Sequence, residues 1–498
     1  MKTIKNIKYV YLIAIALGFT ACNDEEDFID APEPAITLPA LTAGTANFSN
    51  YVAVGASFTA GFTDGGLFIA GQEDSFPNTL SKQFLAAGGG SFTQPLTSDN
   101  FGGLALGGNR IQDPRLVFGG AGPVPLESVI GPVTVGTDLL APPTGPFNNL
   151  GVPGAKSFHM IAPGYGNIAN LSAGLANPYA IRLTGTTPNA SMVELAVAQN
   201  PTFFTLSEVG GNDVLGYATS GGDGTNPITP SATFDFALNT MVTALTANGA
   251  KGAIGNVPNI TSLSHFTTVP HNPIPLDAAT AGAVNGAYAA YNGGLQAALA
   301  GGLIDAAEAA KRTINFVESA TNAVVIEDEF LTNLAALGLP NYRQATAADL
   351  FVLPASSFIG TEAVPGNPLT VNGVAIPLAD KWVLTPEEQQ EIATATAAYN
   401  ATISSVASSN NLALVDLNSI LDQAATTGID FDNYDMNTSL VFGGLVSLDG
   451  IHLTARGYAL MANSFLDAID TTYGSNFRAS GNVAKADDFG VAYSPLLP

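Results

Sequence analysis

The stretch YVAVGAS, Tyr51 to Ser57, ends an apolar run in a sharp Gly-Ala turn and leaves one hydroxyl at its tip. A serine hydroxyl is a poor nucleophile until a base removes its proton, and histidine suits that task near neutral pH. The chain has four histidines, His159, His265, His271 and His452. Only His452, in SLDGIHLTARGYALMA, has a carboxylate in the same turn, Asp449 three residues earlier. Asp449 could accept the ring N–H and fix the tautomer, leaving the other nitrogen for Ser57. A tetrahedral intermediate also needs donors for its oxyanion. NNLGVPGAKS offers Gly151 and Gly154 in a tight turn, and SEVGGNDVLGY offers the amide of Asn212. Losing one such donor costs about 3 kcal/mol, roughly 10²–10³ in rate. The chemistry these types can perform together is acyl transfer from an ester.

Each stretch also has a plain structural reading. Ser57 could be a turn serine, Gly154 a turn glycine, Asn212 a cap and Asp449 a helix N-terminal residue. What favours chemistry is the combination, each member placed where a strand should end. The elements that must do the placing are legible. TFFTLSEV, GAIGNVPNI and LALVDL read as buried strands. In TFDFALNTMVTALTANGAKG, Phe234, Leu238, Met241, Val242 and Leu245 share one helical face. A second helix starts at Thr385-Pro386 with two glutamates, and a third carries Tyr458, Met461, Ala462 and Phe465 on one stripe. Alternating strands and helices predict an α/β fold with a parallel sheet between helical layers. Long Gly/Pro-rich stretches near 86–146, 262–285 and 352–380, with one or two inserted helices before NAVVIEDEF, are expected as loops or a cap on one core. In such sheets the site is built by loops at the carboxyl ends of the strands.

The same four stretches resemble the sequence blocks of the SGNH hydrolases, the GDSL esterases and lipases. VAVGASFTAG resembles the nucleophile block, NLGVPGAKS the glycine block, VGGNDVLGY the asparagine block and DGIHLTARGYALMA the last block. The resemblance spans core segments from about 50 to 470. It implies Ser57, His452 and Asp449 as catalytic residues, and the Ser57 N–H, Gly154 and Asn212 as the oxyanion hole. It also implies a three-layer α/β/α sandwich of flavodoxin-like kind around a five-stranded parallel sheet, here with long loop and helical insertions. Ala56 stands where the family has its name-giving aspartate, a position without a chemical role, so the effect is expected on turn packing alone.

Sixteen basic against 41 acidic residues give a net charge of −25, which repels phosphate backbones and argues against nucleic acid as a partner. The absence of HExxH, paired cysteines and a P-loop predicts no metal and no cofactor. Asp213, Asp223 and Glu208 are expected to be solvated or capping acids, Asp64 a turn former, and His159 is a candidate for the pocket wall. The single cysteine, Cys22, follows three lysines and the apolar run YVYLIAIALGFTA, and precedes NDEEDFID. This pattern reads as an export signal with a lipobox, Cys22 being the lipid anchor. The expected organisation is a signal at 1–22, a tether at 23–48, the hydrolase domain at 49–475 and a tail at 476–498. The expected setting is a lipoprotein of the outer membrane of a Gram-negative bacterium. The leading expectation is an esterase or lipase acting on a small-molecule or lipid ester. A carbohydrate deacetylase or acyltransferase of the same fold, or a surface lipoprotein that only binds lipid or glycan, remains open.

Overall fold

Apolar runs bounded by turns form the central strands, and the burial of those strands on both faces accounts for their lack of polar–apolar alternation. The computed structural model describes residues 38–497, and those from Leu41 onward form one compact unit. Its sheet consists of β1 (Tyr51–Gly55), β2 (Asn149–Gly151), β3 (Phe203–Ser207), β4 (Lys251–Gly255) and β5 (Ala413–Val415). All pair in parallel, in the order β2-β1-β3-β4-β5. The fold is therefore the expected α/β sandwich with five parallel strands. Two buried hydroxyls inside the sheet satisfy each other, those of Tyr51 and Thr205 meeting at 2.9 Å. Because β2 and β3 lie on opposite sides of β1, the loops leaving β1 and β3 diverge, and a crevice opens at the carboxyl ends of these two strands.

The flanking helices follow their apolar spacing. In chain order they are α1 (Ser57–Ala60), α2 (Phe76–Ala86), α3 (Met192–Val197), α4 (Gly211–Thr219), α5 (Ser231–Thr246), α6 (Ala278–Ala300), α7 (Ala306–Arg312), α8 (Pro386–Ser409), α9 (Leu417–Thr426) and α10 (Ala455–Tyr473). In α5 the buried residues Phe234, Ala237, Leu238, Met241, Val242 and Leu245 recur every three or four positions, as a core-facing helix requires. α5 packs on α8 and α3, while α10 packs on α2 and β5, with Phe465 stacked on Phe76 at 5.0 Å. The start of α8 is fixed by a reciprocal cap between Thr385 and Glu388 with Pro386 in the first turn. Such a cap contributes about 1 kcal/mol. Of the one or two inserted helices expected from sequence, two are present, as α6 and α7.

The long stretches are not structureless. Residues 86–146 carry two hairpins, Leu104–Leu106 with Asn109–Gln112 and Leu116–Phe118 with Pro123–Pro125. The domain boundaries differ from the expected ones at both ends. Phe48, assigned to the tether, is buried and stacks on Phe84 at 4.1 Å, with Phe203 and Phe477 at its edges. Phe477, Ala484 and Ala486, assigned to the tail, are buried as well. Aromatic packing across the two ends of the chain, rather than composition, sets these limits. The signal segment, Cys22 and most of the tether lie outside the described residues. Among the described residues no helix is long and apolar enough to cross a membrane.

Candidate active site

Ser57 is delivered by a turn so tight that Gly55 admits no side chain. A Cβ there would stand 2.1 Å from Thr59 Oγ1 and 2.5 Å from the Ser207 carbonyl oxygen. The chain then enters α1 with Ser57 as its first residue and only 5% exposed. Ala56, at the N-terminal cap, has no side chain to satisfy the first turn. That role passes to Glu208 at the end of β3, whose Oε2 accepts the Thr59 N–H at 3.0 Å. The packing consequence expected of Ala56 is thus met by a carboxylate from the neighbouring strand.

Glu208 does more than cap. Its Oε1 accepts the Ser57 hydroxyl at 3.2 Å, so the serine proton points to Glu208 rather than to His452. Glu208 is buried and holds the unusual φ of +58°, a left-handed conformation that costs on the order of 1 kcal/mol for a residue with a side chain. Of the two roles expected of Glu208, solvated or capping, the structure shows capping and burial. Burial pushes its carboxyl up to about 7, against the opposing pull of the Phe58 and Thr59 N–H groups, the His452 ring and the Ser57 hydroxyl. A carboxyl raised in the folded state favours the protonated form. It therefore costs stability progressively as pH rises from about 4.5, its unfolded value, to about 7, and the loss is constant above that. Glu208→Gln is expected to remove this component, so that the variant gains stability relative to the parent at pH 8 compared with pH 5. Urea midpoints at the two pH values measure it, and an identical difference at both would refute the titration.

The glycine turn after β2 stands across the crevice. Gly154 has a φ of +78°, and a Cβ there would find its nearest neighbour, Asn177 Nδ2, at 3.8 Å. Asn177 Nδ2 donates to the Pro153 carbonyl at 2.9 Å and fixes the turn. Asn212 sits in the first turn of α4 and donates one amide N–H to the Ala155 carbonyl at 3.0 Å. Its second amide N–H is left for another acceptor. Asp213 beside it is fully buried and accepts both the N–H and the hydroxyl of Ser157, at 2.8 and 2.7 Å. Its role is capping, which joins the two loops; Asp223 likewise caps Thr225.

Asp449 and His452 precede α10. Asp449 Oδ2 meets His452 Nδ1 at 2.8 Å and also accepts the Gly65 N–H at 2.8 Å. Its Oδ1 accepts from Ile451 N, His452 N and the Ser447 hydroxyl. Burial alone would raise this carboxyl, but the imidazole and these donors outweigh it and hold Asp449 well below the usual carboxylate range. With Nδ1 taken, Nε2 is the His452 nitrogen available to a reacting group. The ring is gripped by Phe62 at 4.6 Å and Phe58 at 5.8 Å. Asp64 is the expected turn former, with a φ of +52°, yet it is also buried beneath this loop, and its Oδ1 accepts the Leu448 N–H.

Ser57, Gly154, Asn212 and His452 line one cavity of about 250 Å³, together with Phe62 and Tyr179. A second, narrow cavity of about 80 Å³ opens from Ser57 and Asn212 and is walled by apolar side chains, among them Ile260, Leu263, Leu417, Leu421, Leu445 and Met461. His159 is not on either wall; its ring stacks on Tyr165 at 4.3 Å and accepts the Lys156 N–H. Two contacts escaped the sequence reading. Glu208 touches Ser57, and buried His265 packs on the Asp449 loop, its backbone N–H donating to the Gly450 carbonyl. The adjacency of SEVGGND to a strand end was the only signal for Glu208. Comparison with known proteins finds no match to this chain, neither a family model nor a curated protein nor a solved structure.

Proposed function

We propose that this protein is a serine-dependent carboxylic ester hydrolase of the SGNH type, with Ser57, His452 and Asp449 as its catalytic residues. The observation that carries the reading is the single cavity lined by Ser57, Gly154, Asn212 and His452, with His452 Nδ1 held by Asp449. The Ser57 hydroxyl turns from Glu208 towards His452 Nε2, which takes its proton as Oγ attacks the ester carbonyl carbon. The oxyanion is received by the Ser57 and Gly154 N–H groups and the unspent Asn212 amide hydrogen. The protonated imidazole gives its proton to the leaving alcohol, and an acyl-enzyme remains. Water, deprotonated by His452, then releases the acid and restores Ser57. The apolar cavity beside Ser57 favours an aliphatic acyl group over acetyl, and hence a lipase or long-chain esterase over a carbohydrate deacetylase. The same reading takes Cys22 as the lipid attachment point and the outer membrane as the location.

The test is hydrolysis of p-nitrophenyl esters from acetyl to palmitoyl by the full chain, combined with fluorophosphonate labelling. We expect the phosphonyl adduct on Ser57 and the highest kcat/KM beyond butyryl. A folded protein that neither hydrolyses these esters nor reacts with the probe would overturn the proposal. Asn212→Ala is expected to lower kcat by about 10²–10³ with KM little changed, as removal of one oxyanion donor does. A change confined to KM would show that Asn212 binds substrate without serving the transition state.

A further inference from the structure

On the far side of α4 from Asn212, three carboxylates converge without a base. Glu329 follows the inserted strand Val325–Glu327, Asp380 opens the short helical turn Asp380–Trp382, and Glu388 lies in the first turn of α8. Each brings an oxygen within 4.8 Å of the others. Elsewhere in the same insertion, buried Asp328 and Asp349 are both paired with Arg343. Among the described residues no such ion pair serves Glu329, Asp380 or Glu388. Glu388 is fully buried. Its Oε2 accepts from Thr385, but Oε1 has no hydrogen-bond partner, and neither has the buried Asp380 Oδ1. A buried carboxylate oxygen left bare costs several kcal/mol unless a cation or proton meets it.

The surroundings deepen the negative field. Asp223 and Glu327 act on Asp380, and Glu391 joins Glu388 and Glu329 around Tyr217. Of the neighbouring bases, Lys381 acts on Asp223 and lies over the Trp382 ring, while Lys311 is held by Asp328 and Glu387. Burial first, then the charge of Glu329 and a hydrogen bond to it, pushes Asp380 upward; burial likewise pushes Glu388 upward, against the pull of the Thr385 donors and aided by the charges of Glu329 and Asp380. The backbone leaves room for the cluster. Gly222 adopts a φ of +76°, and a Cβ there would collide with Glu388 Oε1 at 1.9 Å.

We propose that Glu329, Asp380 and Glu388 form a calcium site that ties the inserted segment to α8 and to the Gly221-Gly222 turn ending α4. Oxygen-only ligands select a hard cation. Oxygens within 4.8 Å of one another can share one ion, and the flexible shell of roughly six to eight oxygens that Ca²⁺ accepts suits donors brought in by separate segments. Mg²⁺ requires a tighter octahedron with bonds near about 2.1 Å. The donors come from three separate chain segments, and Glu329 is exposed, which gives the ion a path from solvent. Bound Ca²⁺ would brace the end of the helix whose other end carries Asn212. Tyr217, on α4, already donates to Glu391 of α8 at 2.7 Å, so the two helices are coupled at this point.

The experiment compares thermal unfolding and calorimetric titration of the full chain after EGTA treatment and dialysis. Adding 1 mM CaCl2 at pH 7.5 is expected to raise Tm by roughly 2 °C or more, with Kd on the order of 10⁻⁴ M or tighter. The shift should shrink at pH 5.5, where protons hold the same oxygens. Asp380→Asn and Glu329→Gln are expected to raise Tm in EGTA, by relieving repulsion, and each to weaken Ca²⁺ binding at least roughly tenfold. Two different acids are varied so that failure of one variant to fold leaves the other as the test. No binding heat and no Tm shift at 5 mM CaCl2, or a shift that both variants retain, would overturn the site. An equal or larger response to MgCl2 would overturn its assignment to calcium. None of these readouts depends on ester hydrolysis.

Discussion

Ser57→Ala is expected to lower ester hydrolysis by about 10⁶ in kcat, down to the level left by binding and the oxyanion donors alone. On the proposed mechanism, the size follows from the loss of the atom that forms the acyl-enzyme. Fold and cavity should persist, since Ser57 sits at a turn dictated by Gly55 and its hydroxyl makes one hydrogen bond, to Glu208. Loss of that bond leaves Glu208 Oε1 bare, so a small drop in stability accompanies the loss of activity, of about 1–2 kcal/mol. The two effects separate in one experiment. Unfolding midpoint and kcat of Ser57→Ala are measured beside His452→Ala and the double variant. If the residues act as one unit, the double variant is no slower than either single one. Additive losses would mean that serine and histidine serve different steps, and the proposed relay would fail.

What could be read in the sequence was local. Ser57, Gly154 and Asn212 each stand in a short stretch whose turn residues and flanking apolar runs reveal a strand end, whereas Asp449 and His452, expected at one too, lie in the loop before α10 with no strand of the sheet directly ahead of them. The cavity that Ser57, Gly154 and Asn212 share with His452 opens where the parallel order of the strands, implied by the alternation of strands and helices, makes their loops diverge. What could not be read was non-local. Glu208 reaches Ser57 because β1 and β3 are neighbours in a register that sets Gly55 opposite Ser207. Nothing in the stretch SEV announces that contact. Phe48 and Phe477 lie more than 400 residues apart, yet they meet edge to face, which composition at either end could not show. The carboxylates of Glu329, Asp380 and Glu388 likewise converge from the inserted segment and from the start of α8, with no motif to announce it. In each case the missing information was which distant elements pack together, not what each residue type can do.

Asp449→Asn should cost about 10⁴ in kcat, through the histidine rather than through the substrate. Both carboxylate oxygens of Asp449 accept N–H or O–H groups, and none of its partners offers a lone pair except His452 Nδ1 and the Ser447 hydroxyl. An asparagine can present its oxygen to only one side. With the oxygen towards Ile451 N and His452 N, the amide hydrogens face Gly65 N and His452 Nδ1. The imidazole then carries its proton on Nε2, the nitrogen that must accept from Ser57. With the opposite choice, the backbone turn that shapes the loop loses its acceptor. The first orientation keeps the fold at lower cost, so the wrong tautomer is the expected outcome. Aspartate also contributes stability because its folded carboxyl is depressed. That contribution is present above the unfolded value of about 3.8 and is lost as pH falls through the lower folded one. Asp449→Asn should thus narrow its stability difference from the parent in strong acid while remaining inactive at pH 7. Nitrogen-15 imidazole shifts reporting an Nε2 proton in the variant, with kcat down by about 10⁴ and KM near that of the parent, would establish the positioning role. An unchanged tautomer with an equal loss of rate would instead assign Asp449 a direct electrostatic part in the transition state.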